Sequence, residues 1–218
     1  PYTDELVSYD ITFKPRECRE ASLRLFDDAE KEVTYQLSDA QIHADGTLKS
    51  PTLWFWVDEL SAMGQRAYTL YGSPSPKCKA PVRKPSPITW SSDEEGIVEV
   101  NTGVFTLRLS DDMTFAEPRN AAEVGGPLRG FKGADGVWRG AGALQVESPV
   151  VSQEFRVLEN GPLWTTVASR VNFVSPPGTG GTSVGPYYEM RFKLFPGRDF
   201  CRVSEKSDFP LRLQPMRR

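Results

Sequence analysis

The sequence predicts an all-β, antiparallel protein, a barrel or a sandwich, on three observations. Apolar residues recur at every second position in short runs, turn-forming dipeptides separate the runs, and no stretch sustains helical spacing over three turns. The first runs are "SLRLF" with Leu23 and Leu25, "VTYQL" with Val33, Tyr35 and Leu37, and "TLWFWV" with Leu53, Phe55 and Val57. After residue 88 the pattern returns with Val98 and Val100, then Phe105, Leu107 and Leu109, then Tyr188, Met190, Phe192 and Leu194. Each run reads as a strand with one buried face. Asp45-Gly46, Glu95-Gly96, Asp135-Gly136 and Asn160-Gly161 supply residues that tolerate positive φ at the turns.

The same alternation sorts the aromatic residues of "TLWFWV". Leu53, Phe55 and Val57 belong to the core side, so Trp54 and Trp56 share the other face, with Cα atoms about 6.5–7 Å apart from the strand rise. Such a pair is spaced either to pack beneath a neighbouring domain or to stack a sugar ring.

Organisation follows from composition. The 218 residues suffice for one good core or two small ones. "PSPKCKAPVRKPSP", residues 74–87, has five prolines and four basic residues and no acid, the composition of an extended linker. It divides a first module, residues 1–73, from a second, residues 88–218. "SPPGTGGTSVGP", residues 175–186, is glycine- and proline-rich but lacks the lysine and the strand-to-helix setting of a phosphate loop, so it reads as a long exposed loop.

A net charge of −3 gives no electrostatic reason to expect nucleic acid or an anionic membrane as partner. No run reaches the roughly 18–20 apolar residues of a membrane span, and a chain that begins at Pro1 is compatible with a removed signal peptide, favouring a secreted or periplasmic site. Cys18, Cys78 and Cys201 are too few and too far apart for a zinc framework, and His43 is the only histidine. Neither a metal nor any other cofactor is expected.

Catalytic patterns are sparse. Asp27-Asp28, Asp58-Glu59, Asp93-Glu94-Glu95 and Asp111-Asp112 are adjacent acids, whereas a glycosidase needs two carboxylates facing each other across its substrate. There is no Gly-x-Ser-x-Gly elbow and no Cys-His constellation. A lyase acting on an acidic sugar needs a base at the C5 proton and a cation at the carboxylate. "VWRG" beside the Asp135-Gly136 turn reads first as an ordinary turn with an exposed arginine, and alternatively offers Trp138 and Arg139 as an aromatic and a cationic contact.

Through "ASLRLFDDAEKEVTYQL", "HADGTLKSPTLWFWVDEL" and "RAYTLYG" the chain resembles the β-barrel module at the front of the exo-rhamnogalacturonan lyase and YetA-like family. "VNTGVFTLRLS", "GADGVWRG" and "FRVLENGPLWTTVASRVNF" followed by "YYEMRFKLFPGRDF" resemble the opening of the β-sandwich that follows it there. "GQRAYTLY" and "LENGPLW" are similar in the same way to the C-terminal parts of α-mannosidase-like hydrolases. The resemblance implies a small antiparallel β-barrel followed by an antiparallel β-sandwich, a polysaccharide or oligosaccharide as partner, and catalytic machinery in a missing domain or second chain. The expectation is therefore a noncatalytic β-rich portion of a polysaccharide-degrading enzyme acting on pectic or uronic-acid-containing glycans. The alternative is a stand-alone carbohydrate-binding protein using Trp54 and Trp56, with Trp138, Arg139 and Tyr187 as further contacts. An autonomous lyase or hydrolase would need acids converging from separate strands.

Overall fold

Alternating apolar positions become strands throughout. The computed structural model describes residues 2–78, 86–175 and 185–208, so half of the basic linker and most of the glycine-rich loop lie outside the described residues. The chain forms two units, Pro1–Pro85 with Gly161–Leu163, and Ser86–Asn160 with Trp164–Arg218. All sheets are antiparallel, and among the described residues none closes into a barrel.

In the first unit, β1 (Tyr2–Asp10), β4 (Tyr35–Ile42) and β5 (Leu48–Leu60) form one sheet in the order β1-β5-β4. β2 (Arg24–Phe26), β3 (Glu32–Val33) and β6 (Thr69–Tyr71) form a second, in the order β3-β2-β6. Strands of two and three residues in the second sheet are too short to carry a ladder round to the first, so the barrel-like module is two open sheets over one core. That core gathers Leu23, Leu25, Tyr35, Leu53, Phe55 and Val57 of the alternating set together with Leu48, and the Tyr35 hydroxyl donates to the Leu23 carbonyl at 2.7 Å. β5 is the central strand yet contains Pro51, which cannot donate to a ladder. The Pro51 carbonyl accepts the Ile11 N–H at 3.0 Å, so its nitrogen faces the β1 side just past the last β1 pair, Asp10 with Thr52, where the ladder has ended; on the other side the register of β4 shifts between Ser38 and Gln41, with Asp39 at a φ of 52°.

The second unit is a sandwich. One sheet has the order β12-β11-β9-β8-β7, from β7 (Thr89–Ser92), β8 (Ile97–Asn101), β9 (Thr106–Ser110), β11 (Leu128–Lys132) and β12 (Trp138–Arg139). The other has the order β10-β13-β14-β15-β16, from β10 (Met113–Arg119), β13 (Val150–Asn160), β14 (Thr165–Phe173), β15 (Tyr187–Leu194) and β16 (Cys201–Ser207). Val98, Val100, Leu107 and Leu109 from the first sheet meet Val167, Phe192 and Leu194 from the second, which joins the inner faces. Among the described residues the one α-helix, α1 (Ala121–Val124), is a single turn capped by the Asn120 side chain.

The turns behave as their residues require. Gly46, Gly96 and Gly136 take positive φ of 73–77°, whereas Gly161 does not adopt that conformation.

Candidate functional site

Trp138 is set by the turn before it. Asp135 Oδ1 accepts the Val137 N–H at 3.2 Å, Gly136 turns the chain at positive φ, and the strand that emerges pairs Trp138 with Lys132 and Arg139 with Phe131. On β11 the next position on the Trp138 side is Gly130, which pairs with Arg108 of β9. A Cβ at residue 130 would lie 3.1 Å from Trp138 Cε3, so the indole rests against a backbone that only glycine leaves bare. The Arg108 guanidinium carbon sits 4.0 Å from the Trp138 ring centroid and the Lys132 ammonium 4.7 Å, within cation–π range.

Arg108, Gly130 and Trp138 border a cleft of about 260 Å³ that Arg129, Arg139 and Gly140 also line. Arg108 is held by Glu99 through Nε at 2.8 Å, and Arg129 donates to the Val124 carbonyl. Arg139 pairs with Asp135, both half-exposed. The Arg139 hydrogen bond, followed by that of the Val137 N–H, holds the Asp135 carboxyl down at about 2. The lining thus brings three guanidiniums and an indole together, with Arg108 and Arg139 each paired to a carboxylate, Glu99 and Asp135. Such a set recognises a carboxylate or phosphate by the planar donor fork of arginine and a ring by stacking.

The remaining candidate contacts lie elsewhere. Trp54 and Trp56 share the outer face of β5 as the alternation requires, both half-buried, and the Trp54 indole N–H donates to Ser38 Oγ at 3.0 Å. Tyr187 opens β15, in the other sheet of the sandwich from Trp138, with the Arg170 guanidinium 3.7 Å from its ring centroid. The structure therefore joins Trp138 to Arg139 but does not bring Tyr187 to them.

Several paired acids cap turns. Asp27 Oδ1 accepts the N–H groups of Ala29 and Lys31, and Asp93 Oδ1 those of Glu95 and Ile97. Asp112 Oδ1 accepts the Phe155 N–H at 2.8 Å. His43 Nε2 lies 3.0 Å from the Phe13 carbonyl, a bond the ring donates in its Nε2–H tautomer. The three cysteines are free thiols, and burial pushes those of Cys18 and Cys201 up. Among the described residues no group of three or more His, Cys, Asp or Glu is placed to hold a metal ion, and no helix is long and apolar enough to cross a membrane.

Arg108 and Arg129 are the contacts that sequence reading missed. Arg108 is the polar position of the alternating run "TLRLS", so its outward direction was legible, but its neighbour Trp138 is not. No family model matches the chain, and no curated protein matches it.

Proposed function

We propose that this chain is the noncatalytic β-rich portion of a polysaccharide-degrading enzyme of the lyase-like kind, and that it extends the substrate cleft by holding a uronic-acid-containing glycan at Trp138. The observation that carries the reading is the Arg108 guanidinium 4.0 Å over the Trp138 ring beside a cleft also lined by Arg129 and Arg139. The Trp138 ring lies under the Arg108 guanidinium and so braces that cation, and a uronate carboxylate takes the planar donors of arginine. A neutral sugar would offer these guanidiniums no carboxylate to compete with Glu99 and Asp135.

The noncatalytic part of the reading rests on Asp135, the acid paired with Arg139 of the cleft. Abstraction of a C5 proton calls for a base whose pKa lies near the working pH. Asp135 is held at about 2 by Arg139, far too weak a base for that step.

Titration of the chain with short oligogalacturonates and with neutral mannose oligosaccharides, followed by tryptophan fluorescence and by the ultraviolet absorbance of unsaturated product, tests both parts. Saturable binding of the uronate series alone, lost in Trp138→Ala and Arg108→Gln, supports the reading. Turnover would overturn the noncatalytic assignment, and absence of uronate binding would overturn the glycan assignment.

A further inference from the structure

The other outer face of the sandwich carries a second, larger collection of cations. Register places Glu154, Arg170, Glu189 and Lys206 in one row across β13, β14, β15 and β16. The next row is Arg156, Ala168, Arg191 and Ser204, and the next Glu159, Thr166, Lys193 and Arg202. Six cations thus share this face with three carboxylates, in a chain whose overall charge is −3.

Two details show that this concentration is held in place rather than dispersed. Glu189 is 2% exposed, yet its Oε2 takes the Arg156 guanidinium at 2.9 Å and its Oε1 that of Arg191 at 2.6 Å. The buried carboxylate therefore fixes two half-exposed guanidiniums on either side of the small Ala168, each bound to it through one of its nitrogens. Lys193, its ammonium 3.9 Å from the Trp164 ring centroid, stands directly opposite Arg202 in the third row. Arg202 and Lys206 are exposed and have no ion-pair partner among the described residues.

We infer that this face docks a linear carboxylated polysaccharide, its acid groups running across the cation rows. Rows lie about 6.5–7 Å apart along the strands, so Lys206, Arg191 and Arg202 put one cation in each of three successive rows along which a polyanion can run. A single-stranded nucleic acid is the other polyanion of this charge, but it is gripped by stacking its bases on open aromatic rings. Here Trp164 is fully buried with Lys193 over its ring, and Tyr187 lies under Arg170. The identity of the polymer rests on the function proposed above, whereas the location of the strip does not.

The test uses the 218-residue chain, long-chain polygalacturonate and a short oligogalacturonate as separate probes. The double variant Arg202→Gln/Lys206→Gln leaves the Glu189 pairs intact and is expected to bind the long polymer roughly three- to tenfold more weakly at low salt. That difference should vanish at high salt, and binding of the short oligomer should not change. Polymer binding equal to wild type, or no polymer binding by wild type, overturns the inference, as does equally tight binding of single-stranded DNA that the same substitutions weaken. Loss of short-oligomer binding alone would sink the Trp138 reading and leave the strip standing.

Discussion

Glu189 allows the energetics of this face to be predicted from burial alone. Replacing both Arg156 and Arg191 with glutamine strands a carboxylate that is 2% exposed, and an uncompensated buried charge typically costs about 3–5 kcal/mol. Arg170 and Lys206 occupy the same row and soften the loss, which sets the expectation near the lower bound, about 3 kcal/mol. The reverse change, Glu189→Gln, strands two guanidiniums whose side chains are 46% and 43% exposed. Water re-solvates those cations, so the cost falls to that of two weakened hydrogen bonds, about 1–2 kcal/mol. Deleting the bases should therefore destabilise more than deleting the acid by about 1–2 kcal/mol, a shift of roughly 0.5–1 M in the urea midpoint at an m-value near 2 kcal/mol/M. Because the chain has two units, the assay is urea unfolding read by hydrogen exchange of peptides spanning β13 to β15, which isolates the second unit. If Glu189→Gln proves as damaging as the double arginine variant, burial asymmetry does not govern this network.

Three further outcomes follow from individual residues. Asp135 has its folded value lowered from 3.8 to about 2, chiefly by the Arg139 hydrogen bond, so its contribution is present above pH 3.8 and lost as pH falls through about 2; an NMR titration should find it there, and Arg139→Gln should return it toward 3.8. Tyr188 is raised from 10.0 to about 12 by burial and then by its bond to Glu205, so the stability it contributes is complete below pH 10 and lost as pH climbs through about 12. Tyr188→Phe should lessen that alkaline loss in thermal melts across the window. Gly130→Ala puts a Cβ 3.1 Å from the Trp138 ring, which must shift by a few tenths of an ångström; oligogalacturonate affinity should drop severalfold while unfolding free energy moves by less than about 1 kcal/mol.

What the sequence revealed of the fold, and what it concealed, divides along a physical line. In "TLRLS" the alternation sends Leu107 and Leu109 inward and Arg108 outward, because side-chain direction along a strand is a local property. β1 escaped notice for the same reason: in "YTDELVSYD" the apolar Leu6 and Val7 are adjacent, so no clean period marks the strand, and its place beside β5 comes from pairing across some fifty residues. Closure is likewise nonlocal. Alternation marks the faces of β2 and β5 but not whether strands of three and thirteen residues can share a perimeter, so an open pair of sheets and a barrel have similar local sequence patterns.

The two outer faces of the sandwich show the same division at the level of chemistry. Trp138 and Arg139 were legible as a pair because one turn sets both, whereas the cations that convert that turn into a cleft arrive by register, Arg108 through Gly130 and Arg129 from the neighbouring position on β11. Glu189 in "YYEMRFKLF" sits at a polar position of an alternating strand, where the pattern predicts a solvated carboxylate. It is buried because Arg156 reaches it from a strand 33 residues earlier and Arg191 from two residues along its own, covering it with guanidiniums that remain half-exposed. A carboxylate in that position acts as a fixed base plate for two cations. Its burial positions positive charge on this face, a property that neither the mild net charge nor any single run of residues discloses.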